Sequence, residues 1–182
     1  MKMLVQRFPS EGELPFDLED LKLHIRVDGD SEDDAVTNIG LTAAAELEQF
    51  AQIALLTQTI RVTIFDLEIG CGIDLPIGPV ADTDTPIVII NGSVFTAFDF
   101  VGGNRPHIRW RSANLTRDTS RIVIEYQAGF GAAAADIPSD LSQALMDQAA
   151  LHYDGRSPMD AKSLTTSPHM ARVGARYRGV MA

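Results

Sequence analysis

The feature that most constrains this chain is a change of hydrophobic period at Leu56. Before it, from about Ser31 to Ala54, the residues Val36, Ile39, Ala43, Leu47, Phe50 and Ala54 recur at the spacing of one helical face. After it, "LTQTIRVTIFD" alternates Gln58, Ile60, Val62 and Ile64 with Thr57, Thr59, Arg61 and Thr63, the pattern of a strand with one core face and one wet face. One element cannot hold both periods, so helices and sheet must form separate parts of the fold. The runs "IVIING", "SVFTAFDF", "PHIRW" and "SRIVIEYQAG" supply further strands, divided by Asn-Gly, Gly-Gly-Asn and Arg-Asp-Thr-Ser turn signals. Connections this short suit antiparallel neighbours, since a parallel crossover needs a dozen or more residues.

The pattern predicts an α+β fold: packed helices with an inserted antiparallel β-meander over about 57–130, within a body of residues 1–155. Helices are expected at about 17–27, 31–54 and 138–154. The first opens at Asp17, a capping residue, and carries Leu18, Leu21 and Ile25 before Gly29. The last opens at Pro138 or Ser139 and places Leu141, Leu145, Ala149 and His152 on one stripe, with Ala144, Met146 and Leu151 making the remaining surface apolar too. A helix apolar around most of its circumference has neighbours on several sides. Residues 156–182 hold two prolines, two glycines and no sustained period, which reads as an extended C-terminal arm.

Charge divides the chain in the same place. The net charge is −10, yet residues 156–182 set five cations against one anion, leaving −14 on residues 1–155. An acidic body argues against a protein that wraps nucleic acid, which needs cations to displace phosphate counterions. The densest acid run is "HIRVDGDSEDD", with five carboxylates from Asp28 to Asp34. As a calcium loop it fails: counting from Asp28, Asp33 stands where the turn glycine belongs and Ile39 where a bidentate Glu belongs. As a helix junction it is coherent, with Gly29 ending one helix, Asp30 or Ser31 capping the next, and Glu32, Asp33 and Asp34 in a first turn that favours anions.

Other chemistry is sought without result. His24, His107, His152 and His169 lie on different elements and match no metal-ligand spacing, and His24 and His152 read as helix-packing residues. Ser93 lacks a nucleophile-elbow motif, and Cys71, the single cysteine, stands between two glycines with no basic neighbour. The "GFG" at Gly129 is too short for a dinucleotide fingerprint. No catalytic, cofactor or metal residue is nominated, and the chain is expected not to be an enzyme. No apolar run approaches membrane-spanning length, and "MKMLVQRFPSEGELPF" meets Pro9 and acids before a signal-peptide core, so synthesis in the cytoplasm is expected.

Three stretches in order resemble a known family. "LPFDLEDLKLHIRVDGDSEDDAV", "LLTQTIRVTI" and "VIEYQAGFG" with "DIPSDLSQALMDQAALHYDGR" are similar to head-tail connector (adaptor, or head-completion) proteins of tailed phages and phage-like gene transfer agents. The resemblance covers about residues 12–156. It departs at Asp154-Gly155-Arg156, where the family helix often ends in a Glu-Asn-Arg-like sequence, and residues 157–182 match no motif of the family. The resemblance implies a structural virion protein: a cyclic homo-oligomer, a dodecamer if it matches a twelvefold portal, seated on the portal protein at the head-tail junction. Its other implied partner is a distal tail-side connector or tail terminator protein. DNA would pass through the channel without sequence-specific binding, and no membrane is involved.

The residues themselves are compatible with that role. Helices apolar on more than one face suit lateral packing of identical subunits, and acidic walls do not retain phosphate. The arm is read as the portal anchor, independently of the family: Arg172, Arg176 and Arg178 fall within seven residues around Tyr177, where guanidinium forks and an aromatic ring can meet carboxylates. The turn-rich connections around Asp82 to Pro86 and Gly102 to Pro106 are expected to face the tail-side partner. Two other classes remain open at this point: a small hydrolase or metal-dependent enzyme using the acidic loops, and a free-standing regulatory binding module.

Overall fold

The computed structural model describes residues 2–9, 12–65, 72–111, 120–156 and 165–178. It divides into two compact units, one of residues 1–11 with 57–129 and one of residues 12–56 with 130–182. Cys71 lies outside the described residues.

The first unit is all antiparallel β. Among the described residues, eight strands follow the chain: β1 (Lys2–Phe8), β2 (Gln58–Phe65), β3 (Gly72–Asp74), β4 (Ile87–Ile90), β5 (Ser93–Phe95), β6 (Phe98–Val101), β7 (His107–Trp110) and β8 (Arg121–Ala128). Five form a sheet in the order β1-β2-β8-β4-β5, and three form a smaller sheet in the order β3-β7-β6. The expected alternation in β2 holds. Gln58, Ile60, Val62 and Ile64 are buried while Thr59, Arg61 and Thr63 are half-exposed. Opposite residues of a ladder share a face, so Ile60 meets Tyr126, Val62 meets Ile124 and Ile64 meets Ile122, all buried. The Asn-Gly turn behaves as its residues require: Asn91 and Gly92 take φ 49° and 89°, and the two-residue loop joins β4 to β5 with Ile90 opposite Ser93. Burial pushes the Tyr126 phenol well above its ordinary pKa, and its oxygen accepts the Ile77 N–H at 3.3 Å.

Strand β1 was not foreseen. Its residues are exposed on both faces apart from Arg7, which is half-exposed, so no burial alternation marks it in the sequence.

The second unit is helical: α1 (Leu18–Ile25), α2 (Asp33–Ala51), α3 (Ser139–Asp154) and α4 (Pro168–Tyr177), with a 3-10 turn at Ala134–Asp136. The Asp17 side chain caps α1 by accepting the Asp20 N–H at 3.0 Å. Helix α2 begins differently from expectation. Its N-cap is Glu32 and no side chain caps it, so neither Asp30 nor Ser31 has that role. The core gathers Leu21, Val36, Ala43, Leu47, Leu141, Ala144, Leu145 and Ala149.

The extended arm needs correction over the residues described. Ser167 caps a helix there, accepting the Met170 N–H at 3.1 Å, and Pro168 occupies the first turn. Met170 and Val173 are buried in the same core as Leu141 and Leu145. The apolar stripe consists of only these two residues and Tyr177, which is too short a run to register as a period amid glycines and arginines. Gly174 permits close packing against α2: a Cβ there would lie 2.5 Å from Phe50 Cδ1. Helix α3 does have neighbours on several sides, and α1, α2 and α4 of its own chain supply them.

Candidate functional site

The nominated arginines do not act as one cluster. Arg176 donates from Nη2 to Asp140 Oδ2 at 2.8 Å, and the Tyr177 hydroxyl donates to Asp140 Oδ1 at 3.0 Å. Both oxygens of one carboxylate at the start of α3 therefore hold the end of α4. Tyr177 also sets its ring edge-on to Phe130, with centroids 6.0 Å apart. Burial, then Asp140, raises its pKa. Arg178 lies over the Phe50 ring at 5.9 Å. Arg172 is exposed and pairs with no other described residue. The four side chains thus split: Arg176 and Tyr177 fasten the helix through Asp140, Arg178 lies against Phe50, and Arg172 carries exposed charge.

Polar contacts fasten the other end of α4. Gln148, 1% exposed on α3, accepts the Ser167 N–H at 2.7 Å and donates to Glu46 Oε2 at 2.8 Å. His152 Nε2 stands 2.9 Å from the same Glu46 oxygen. The residue before Gln148, Asp147, lies between His24 Nε2 at 3.1 Å and His169 Nδ1 at 2.6 Å, so it links α1 and α4 through α3. Burial pushes the Asp147 carboxyl up, but His169, Gln143 and His24 together outweigh that and hold it below the ordinary carboxylate range. His24 and His152 are packing residues, as read from the sequence.

The acid run has a partner that sequence reading missed. Lys22 is 4% exposed, and its Nζ meets Asp33 at 2.8 Å, Glu19 at 3.1 Å and Asp30 at 3.2 Å. Asp33, ahead of the opposing effect of burial, raises the lysine pKa above its ordinary range. Glu32 accepts from Arg156 Nη1 at 2.9 Å and from the Tyr153 hydroxyl at 3.1 Å. Arg156 first, then Tyr153, lowers its pKa. The carboxylates at 30, 32 and 33 therefore neutralise cations of the chain itself. A lysine six residues before the acid run was the available signal. Among the described residues no three His, Cys, Asp or Glu side chains are arranged to hold a metal ion.

In the β unit, the two connections expected at the tail side are joined to each other. Val80 and Gly103 exchange both backbone hydrogen bonds, at 3.0 and 2.7 Å, and Asp82 Oδ1 accepts the Gly102 N–H at 3.0 Å. They form one rim.

No family model and no curated protein matches the sequence. Solved structures do. A chain in the neck of an empty gene transfer agent particle, computed with C6 symmetry, superposes with a TM-score of 0.80 at 25% identity. A chain of the native gene transfer agent virion gives 0.78 at 25% identity, and one in the native neck computed with C12 symmetry gives 0.75 at 26%. Each match covers 98% of this chain and 97% of the other. The fold is that of a gene transfer agent neck protein. The connector resemblance seen in three sequence stretches therefore holds for almost the whole chain, and it takes in α4, where no motif matched.

Proposed function

We propose that the chain is a structural ring subunit of a virion neck, which joins the DNA-filled head to the tail and continues the DNA channel. One observation carries this: end-to-end structural likeness to chains in gene transfer agent necks, at 98% coverage. The C12 symmetry of one such neck supports twelve copies side by side. The charge of −10 supports a channel that lets DNA slide, because acidic walls release phosphate. The role is mechanical and not catalytic.

The portal protein is the head-side partner in this reading, and α4 is the element that meets it. Arg172 supplies an exposed guanidinium for its carboxylates, and Arg176, Tyr177 and Arg178 position the helix through Asp140 and Phe50. The rim formed by Asp82 to Pro86 and Gly102 to Pro106 meets the tail-side connector or terminator. Each exposed ion pair contributes only about 0 to 1 kcal/mol, so portal docking depends on several contacts at once.

Deletion of the coding sequence in a particle-producing strain tests the role. DNA-filled heads without tails are expected, and normal tailed particles would refute it. Arg172→Glu tests the portal contact: the purified chain should keep its thermal midpoint and join isolated heads less readily. Truncation of the segment is a poorer test, because it strips Met170 and Val173 from the core.

A further inference from the structure

The two outer strands of the large sheet differ in a way that suggests how copies join. Strand β1 is one edge and β5 the other. Paired residues share a face, so Met3 and Val5 continue the face of Ile64 and Val62. Ile64 and Val62 are 1% and 0% exposed, whereas Met3 and Val5 are each 37% exposed. The core face thus runs on past its own cover. The opposite face of β1 shows Leu4 and Phe8 at 53% and 44%. A seven-residue edge, apolar on both sides, is a template for another strand, and soluble proteins ordinarily cover or blunt such edges.

The far edge is complementary. Beside β5 lies an open groove of about 540 Å³ whose lining includes Ile87, Val94, Phe95 and Phe100; its charged residues are Asp99, which pairs with Arg111, and Asp82, whose carboxylate leaves the lining net negative. Strand β1 brings two cations, Lys2 and Arg7, and no acid, leaving −12 on the rest of a chain whose total is −10. Apolar side chains with two cations at one edge are therefore matched by apolar side chains and the carboxylate of Asp82 at the other.

We propose that β1 is the lateral seam between subunits: the free edge of β1 in one copy adds to the β5 side of the next copy. This rests on the ring reading and names the surfaces that close it. Two different edges of one sheet make a heterologous contact, which generates a ring when the rotation closes, whereas β1 against β1 would stop at a dimer. Backbone pairing sets the register, and the apolar side chains and the opposed charges choose this partner.

The test places a photo-crosslinking amino acid in place of Leu4 and recovers particles. A product of twice the chain mass is expected, with peptides joining the region of Leu4 to that of residues 87–100. Leu4→Glu and, separately, Val94→Lys should leave the thermal midpoint of the purified chain unchanged and abolish its incorporation into particles. A crosslink to a different protein, a β1-to-β1 crosslink, or full incorporation of both variants would overturn the seam while leaving the ring role standing. Absence of the wild-type chain from particles would overturn the ring role and the seam with it.

Discussion

Replacing Met170 by Ala tests whether α4 belongs to the folded core. Met170 is 2% exposed and packs in the cluster of Leu47, Leu141 and Leu145. The substitution removes three heavy atoms, a transfer loss of roughly 2.4 kcal/mol at about 0.8 kcal/mol per buried group. The cavity left behind adds on the order of 1 to 2 kcal/mol if the site collapses only partly. The sum, about 3 to 4 kcal/mol, is a large share of the ~5–15 kcal/mol that holds a typical domain. Urea unfolding followed by far-UV circular dichroism reads the helical unit, and fluorescence of Trp110, the single tryptophan, reads the β unit. The helical transition should move to markedly lower urea. A shift worth less than about 1 kcal/mol, well below the usual range for Met→Ala in a core, would mean that α4 does not hold Met170 in the core and would return the segment to an undocked tail.

Asp147→Asn should lower the thermal midpoint at neutral pH. Because the folded carboxyl lies below its ordinary value, its contribution is complete above about pH 4, the unfolded value, and fades as pH falls through the folded one, so wild type and variant should converge in acid. Lys22→Ala leaves Asp33 without its ammonium partner at 2.8 Å and should destabilise the helical unit, with Asp30→Asn in the same background recovering part of the loss by thermal melting. Calcium or magnesium should leave the melting midpoint unmoved, since the carboxylates of the acid run already face Lys22, Arg156 and Tyr153; a rise that grows with ion concentration would reveal a site. Gly174→Leu should lower the midpoint through collision with Phe50, and Phe50→Ala should restore part of it.

What could be read from the sequence was decided by whether burial left a period. In β2, Ile60, Val62 and Ile64 are buried between half-exposed residues, and the alternation named the strand and its faces. In α2, Val36, Ala43 and Leu47 recur on one face for the same reason. Strand β1 has no such record. Its exposed Met3, Leu4, Val5 and Phe8 give no alternation, because no layer among the described residues buries them. Helix α4 failed for the opposite cause: it is ten residues long, and only Met170, Val173 and Gly174 are buried, among arginines that elsewhere mark loose tails. Long-range polar contacts were the least legible. Asp140 lies 36 and 37 residues from Arg176 and Tyr177, a separation at which no local rule pairs them. Strand β1 and helix α4, missed by the sequence reading, also carry proposed partner contacts. A surface that another subunit completes is selected for a fit its own chain does not contain, so its pattern becomes regular only once the neighbour is counted.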